Sequence, residues 1–332
     1  IPTLCHDPRL DPAGACRSCL VEVDNSRRLV PACAHKAEAG TEVTTRNDRI
    51  ERHRRVLMSL YLTDHPEDHA DCEDSKPCEL HRMAAEFGSE TGWDNMAPKR
   101  YERTNDNNPY IEFRADRCIL CARCTRYCDE VEGVSAITLA GRGSETTIST
   151  VDDQSLLDTT CELCGGCVAV CPTGAMTEKK PLALEAPPER ELKKVRTTCN
   201  YCGVGCQMDL NVDTAAFGGQ GRVVKVTSPD PDEGFLHGNL CVKGRFAYDF
   251  IHHGDRLQVP LIRGEDGRLH EATWDEALER VRNGLQGVQE KYGSDALAFV
   301  SSSRCTGEEN YLMQKLSRAV FGTNNIHQCA AT

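Results

Sequence analysis

The chain is poor in aromatic residues. They make up 5% of its 332 residues, and apolar residues of all kinds make up 39%. A thin organic core of this kind needs another source of stability, and metal–thiolate bonds can supply it. Long apolar runs are also missing: none approaches the roughly 18 residues that would span a bilayer, and no signal peptide is visible. Positive charge is in deficit. Lys and Arg number 39 against 51 Asp and Glu, a net charge of −12, which gives a nucleic-acid role little support. The charge is uneven along the chain. Arg46, Arg49, Arg52, Arg54 and Arg55 form a basic run, and residues 64–79 are acidic. Both read as solvated faces, with docking surfaces for partner subunits as the other reading. The length suits two or three domains. The chain opens at Ile1 with a motif already under way, so a piece of a longer protein is expected.

What the sequence has in abundance is cysteine, 20 residues. A disulfide framework is one reading of such a count, but disulfide scaffolds are usually short secreted chains. Eighteen of the cysteines instead fall into five successive patterns, each with the spacing of an iron–sulfur site. Cys5, Cys16, Cys19 and Cys33 have two close ligands on a loop and an outlier on either side, which suits a [2Fe–2S] cluster. Pro8, Pro12 and Gly14 keep that loop irregular, so that backbone amides can face sulfur. A helix follows over about 48–62, with Ile50, Leu57, Leu60 and Tyr61 on one stripe and Pro66 helping to close it. Next come His65, His69, Cys72 and Cys78, a mixed set that reads as cluster ligands, as a zinc site or as an incidental grouping. An imidazole ligand donates less charge than a thiolate and raises a cluster's potential.

Residues 83–110 are polar, with Asn and Pro, and read as a connector. The strongest signal is the repeat beyond it. Cys118, Cys121, Cys124 and Cys128 form one C-x2-C-x2-C-x3-C run, and Cys161, Cys164, Cys167 and Cys171 form a second, closed by Pro172. In a two-cluster ferredoxin the fourth cysteine of each run ligates the other cluster. Cys118, Cys121, Cys124 and Cys171 are therefore expected to hold one [4Fe–4S], and Cys161, Cys164, Cys167 and Cys128 the other. A Pro- and charge-rich linker over 180–196 marks a boundary. Then Cys199, Cys202, Cys206 and the distant Cys241 suggest a further [4Fe–4S], with zinc the alternative for this pattern taken alone. Between them, two apolar–polar strands flank Gly218, Gly219 and Gly221 as a hairpin.

The last segment changes character. Thr273 and Glu276 make a capping box ahead of a stripe of Trp274, Ala277, Leu278, Val281, Leu285 and Val288. A short strand over 296–300 leads through Ser301, Ser302, Ser303 and Arg304 into a helix over 308–321, ended by Gly322. A polar turn between strand and helix suits a phosphate-bearing cofactor, and an ordinary strand-to-helix loop is the plainer reading.

The order of modules resembles a known group. Residues 1 to about 190 are similar to the front end of the large iron–sulfur subunit of complex I, of some [FeFe]-hydrogenases and of NAD-linked formate dehydrogenases. CNYCGVGC followed by LCVKG resembles the start of the molybdopterin oxidoreductase domain. The segment from Ser301 to Ala330 is similar to formate dehydrogenase catalytic subunits. Complex I subunits usually keep one cluster in the ferredoxin-like segment, whereas both runs are complete here, and the [FeFe]-hydrogenase catalytic domain does not match.

The resemblance implies a multidomain fold, α+β and α/β. Its parts are a [2Fe–2S] ferredoxin-like domain (1–45), a helical His/Cys [4Fe–4S] domain (46–105) and a two-cluster ferredoxin domain (106–185). A [4Fe–4S] domain (196–255) and the beginning of the molybdopterin-dinucleotide-binding α/β region (256–332) complete it. It implies one [2Fe–2S], four [4Fe–4S] and a Mo or W centre held by two pterin guanine dinucleotides, where formate is oxidised to carbon dioxide. Lys243 matches the lysine between the nearest cluster and a pterin, and Ser303 and Arg304 fall at cofactor contacts. Cys305 and Cys329 are expected as small packing residues. The implied partners are a flavin (FMN)- and NAD-binding iron–sulfur subunit and a small [2Fe–2S] subunit, in the cytoplasm. A conducting complex I-like subunit without its own catalytic metal is the competing expectation. Two departures stand out. His69 occupies a position where the family has cysteine, and Ala331 stands where the family has arginine. The family's metal-ligand residue would follow Thr332.

Overall fold

The computed structural model describes residues 1–24, 27–66, 76–89, 92–93 and 106–329, with the backbone alone at 329. His69 and Cys72 lie outside the described residues. The chain divides into two compact units: Ile1–Thr197 with Gln207–Tyr248, and Thr198–Cys206 with Asp249–Thr332.

In the first unit, β1 (Leu20–Val23) pairs antiparallel with β2 (Val30–Pro31) at its start and with β3 (Val43–Thr44) at its end. Helix α1 (Asp48–Leu62) has the bounds that periodicity gives. Asn47 caps it by accepting from the Ile50 amide at 2.9 Å, and Asp48 and Glu51 suit the positive end of the helix dipole. The buried face matches the expected stripe in part, with Ile50 buried and Leu57 and Tyr61 half-buried against the apolar cluster. It runs Ile50, Arg54, Met58, Leu62 at four-residue spacing, and Leu60 is exposed. Arg54 leaves the solvated basic run because its guanidinium finds backbone acceptors. Nε donates to Ser18 O and an Nη donates to Leu20 O, each at 3.1 Å. A buried cation is tolerated only with such partners.

Helix α2 (Glu79–Glu86) extends into the expected connector, because Leu80, Met83, Ala84 and Phe87 join Leu4, Met58 and Leu62 in one apolar cluster. Cys5, Cys16, Cys78 and Cys121 belong to the same cluster. Further on, β4 (Ile111–Phe113) pairs with β7 (Met176–Glu178), and β5 (Thr138–Ala140) pairs with β6 (Thr147–Ser149). Helix α3 (Arg123–Arg126) runs into a wider turn through Val131, and α4 (Gly166–Val170) is its counterpart in the second run. Tyr127, Ile137, Ile148, Val168, Val170, Met176 and Phe246 pack with Cys118, Cys124 and Cys171. Glycine is required at 166, where a Cβ would stand 1.9 Å from Tyr127 Cε1.

The residues 180–196 are not all linker. They run into β8 (Lys193–Thr198), which joins a three-stranded sheet with β9 (Gln207–Asp213) and β10 (Arg222–Thr227), in the order β10-β9-β8. The β9–β10 pair is the expected antiparallel hairpin, and Gly218, Gly219 and Gly221 at positive φ turn it. Helix α5 (Val242–Phe246) follows.

In the second unit, β11 (Leu261–Arg263) and β12 (Leu269–Glu271) form a hairpin ahead of α6 (Trp274–Tyr292). The Thr273/Glu276 capping box is present in both directions. Part of its apolar stripe, however, faces outward, while Ala277, Leu285 and Val288 are half-buried. Trp274 is 71% exposed, and Leu278 and Val281 are also exposed. Strand β13 (Phe299–Ser302) begins later than expected, since residues 294–296 form a turn. Helix α7 (Gly307–Lys315) opens on a second capping box, Thr306 with Glu309, and continues as a wider turn to Val320. Strand β14 (Ile326–Cys329) returns parallel to β13, with Phe299 beside Ile326. A parallel pair joined by a helix is the α/β step the sequence suggests.

Candidate metal centres

The first four cysteines meet as two pairs. Cys19 Sγ and Cys33 Sγ are 3.4 Å apart. Two thiolates on one tetrahedral metal, at bonds of about 2.3 Å, stand roughly 3.7 Å apart, so this pair suits one iron. Cys5 and Cys16 form the other pair. The Cys16 amide donates to Cys5 Sγ at 3.4 Å, and the Leu4 amide donates to Cys16 Sγ at 3.4 Å. A hydrogen bond between these two thiols raises Cys5 above the ordinary thiol range and holds Cys16 down at about 4. Cys5, Cys16 and Cys19 are buried.

His65 and Cys78 also meet, Nε2 to Sγ at 3.4 Å, and both are buried. Beside them the structure places a residue the sequence reading missed, His81, whose ring lies 5.0 Å from that of His65. The available signal was its position three residues after Cys78, one turn along a helix, where side chains share a face.

The two ferredoxin runs interlock. Cys128, Cys161, Cys164 and Cys167 line one cavity of about 410 Å3. Cys118, Cys121, Cys124 and Cys171 line a second, tighter cleft. The fourth thiol of each run therefore sits with the first three of the other. Both runs hold the same backbone shape: Leu120 and Ala122 in the first, and Leu163 and Gly165 in the second, adopt positive φ. This shape turns amides toward sulfur. The Leu120 amide donates to Cys118 Sγ at 3.5 Å and the Leu163 amide to Cys161 Sγ at 3.4 Å. The fourth thiols receive theirs from later residues, Cys128 from Ala136 at 3.2 Å and Cys171 from Met176 at 3.4 Å. Such bonds stabilise thiolate charge and set cluster potential. Burial pushes Cys121 and Cys164 up to about 12, and carries Cys124 and Cys167 well above the ordinary range. Metal loading at these thiols must therefore release protons.

In the second unit, the Cys199 amide donates to Cys206 O at 2.8 Å and the Gly205 amide to Cys202 O at 3.4 Å, closing a tight loop around the three thiols. Ser303 packs onto this loop, since a Cβ at Gly203 would meet Ser303 Cβ at 3.5 Å. Ser303 Oγ is buried and has no hydrogen-bond partner among the described residues. An orphaned hydroxyl where a strand turns toward a helix is a feature a phosphate-bearing cofactor would complete. Arg304 follows it and is exposed. Cys305 is exposed rather than packed, because the turn Ser302–Cys305 lifts it out of the unit. Cys241 begins α5 in the first unit and is exposed, and Lys243 lies on the first turn of that helix, half-buried. No helix among the described residues is long and apolar enough to cross a membrane.

Four family models match in succession. They are the 2Fe-2S iron-sulfur cluster binding domain over 1–48, and the ferredoxin-like domain of NADH-quinone oxidoreductase subunit 3 over 108–177. The molybdopterin oxidoreductase Fe4S4 domain over 192–253 and molybdopterin oxidoreductase over 256–332 complete the set. Among curated proteins, the chain is 36% identical to the NADPH-Fe(3+) oxidoreductase subunit alpha of Geobacter sulfurreducens, over 98% of this chain and 36% of that protein. It is 37% identical to a NADH-quinone oxidoreductase subunit of Rhizobium meliloti, over 98% of this chain and 36% of that protein. A protein of Staphylococcus haemolyticus with a provisional formate dehydrogenase name is 30% identical, over 99% of this chain and 36% of that protein. The chain thus spans about a third of the length of these relatives. Its domains are those of a molybdopterin oxidoreductase behind an iron–sulfur front end of the NADH-quinone oxidoreductase kind.

Proposed function

We propose that the chain is the electron-conducting portion and the cofactor threshold of a formate dehydrogenase catalytic subunit. The observation that carries this reading is the pairing of a complete two-run ferredoxin with a molybdopterin oxidoreductase segment in one chain. The reaction would be the loss of a proton and two electrons from formate, giving carbon dioxide. A Mo or W pterin centre would supply the two-electron acceptor. The residues of this chain would act around it: Ser303 and Arg304 would help hold the cofactor's phosphates, and Lys243 would serve as the lysine that the resemblance implies for electron passage from the pterin. Electrons would leave singly through the nearest cluster and then through the two ferredoxin clusters, toward a flavin- and NAD-binding partner in the cytoplasm. The interlocked thiols and the amides facing sulfur would tune the potentials of the clusters.

A second reading has specific support in the 37% identity to a component of NADH-quinone oxidoreductase. There the chain conducts electrons and oxidises nothing itself. One experiment separates the two. Formate is added anaerobically to the natively purified full-length complex while the visible iron–sulfur absorbance is followed. Bleaching supports the dehydrogenase. No bleaching with formate, alongside reduction by NADH through the partner and no Mo or W in the complex, leaves the conducting subunit.

A further inference from the structure

We propose that His81 is a metal ligand, and that His65, Cys78 and His81 hold a single divalent ion of the zinc type in place of an iron–sulfur cluster. The donor atoms of all three side chains lie within 4.8 Å of one another, and His65 Nε2 stands 3.4 Å from Cys78 Sγ. On one tetrahedral ion, with metal–nitrogen bonds of about 2.0–2.1 Å and metal–sulfur bonds of about 2.3 Å, a nitrogen and a sulfur donor stand roughly 3.5 Å apart. A cubane gives each ligand its own iron and spreads the donors outward, so its ligands do not approach this closely.

The chemistry of the donors points the same way. Four-iron clusters are held mostly by thiolates, whereas the described donors here offer a single thiolate with two imidazoles, a borderline-soft set suited to zinc. His81 also carries the arrangement expected behind a ligand. Its Nε2 lies 3.0 Å from Pro66 O. A carbonyl can only accept, so the ring hydrogen is on Nε2 and the lone pair is on Nδ1. Metal-bound histidines commonly donate their second N–H to a backbone carbonyl, which fixes tautomer and ring orientation. Finally, all three side chains are buried, with His65 6%, Cys78 1% and His81 4% exposed. The sequence places them so: Cys78 caps α2 and His81 follows one turn later on the same face. A single closed-shell ion takes no electron, so this module would brace the front end rather than conduct.

The test uses the native complex, purified anaerobically without a polyhistidine tag. Metal content is measured for the wild type, His81→Ala and His81→Cys, with zinc-edge X-ray absorption on the wild type. The expected result is about one zinc per chain, lost in His81→Ala with iron unchanged and retained in His81→Cys. The absorption edge should show nitrogen and sulfur together in one shell. Should His81→Ala fail to fold, the wild-type edge and His81→Cys still decide. Loss of about four irons with a cluster's magnetic resonance signal in either variant would mean a cubane and overturn the proposal. Zinc that is absent in the wild type, or unchanged in His81→Ala, would overturn it as well and leave a structural histidine pair.

Discussion

Glu189 sits in the segment that leads to β8, and its carboxylate is pinned from two strands. Lys194 on β8 donates to Oε1 at 2.7 Å and Lys225 on β10 donates to Oε2 at 2.9 Å. The side chains of Glu189 and Lys225 are only 12% and 6% exposed. Burial alone would raise the carboxyl, but Lys225 and then Lys194 hold it at about 2, against 4.5 for a free glutamate. A folded-state value below the unfolded one stabilises the fold above the unfolded value. That stability is fully present above pH 4.5 and is lost as pH falls through about 2. At about 1.36 kcal/mol per unit, the contribution at neutral pH is about 3 kcal/mol. An independent argument agrees, since stranding a buried ammonium by removing its partner costs about 3–5 kcal/mol.

Glu189→Gln keeps the shape and removes the charge. The readout is amide hydrogen exchange on the cluster-loaded chain at pH 7, over the peptides of β8 and β10. Exchange there should accelerate about 100-fold, and a second change, Lys225→Met, should recover most of the loss by removing the stranded cation. In the wild type, protection corrected for intrinsic rates should be flat from pH 8 to 5. An acceleration within about fivefold, the size of an exposed ion pair, would refute the argument.

Three further outcomes are expected. Cys128→Ser should remove the cluster of the second run, and Cys171→Ser that of the first, each read as the loss of one distinct magnetic resonance signal; a loss within the mutated run would reverse the ligand sets. Gly166→Ala forces a Cβ into Tyr127 and should destabilise by about 1–3 kcal/mol, seen as a lower denaturation midpoint and lower iron content; unchanged values would show that Tyr127 gives way freely. Arg54→Ala removes two hydrogen bonds from a buried cation to Ser18 O and Leu20 O, at about 1.5–3 kcal/mol each, and should lower the melting temperature of the front end; equal recovery by Arg54→Lys would mean that charge, not the two-pronged geometry, matters.

Much of the candidate chemistry was legible because ligand spacing is itself geometry. A C-x2-C-x2-C run needs a particular loop, and the positive φ values at Leu120, Ala122, Leu163 and Gly165 are that loop. Capping boxes are legible for the same reason, being local. Burial was harder to read. The basic run gave no sign that Arg54 would turn inward, because its partners are the carbonyls of Ser18 and Leu20, more than thirty residues earlier. The stripe of α6 is amphipathic, yet Trp274, Leu278 and Val281 face out because the described residues of its unit supply no layer against them. His81 escaped notice because a histidine within a helix carries no pattern of its own; only the closeness of His65 and Cys78 gives it meaning.

The exchange of fourth thiols has a consequence for biogenesis. A chain cut or cleaved between residues 128 and 161 would leave each run with the wrong partner, three thiols that belong together and one that does not. Neither half could complete a cluster alone. Completion of either centre therefore needs both runs, and must wait until the second run has left the ribosome. An oxidant that removes Cys171 would strike a thiol set whose other members lie some fifty residues earlier. The pair behaves as a clasp, each half closed by the other.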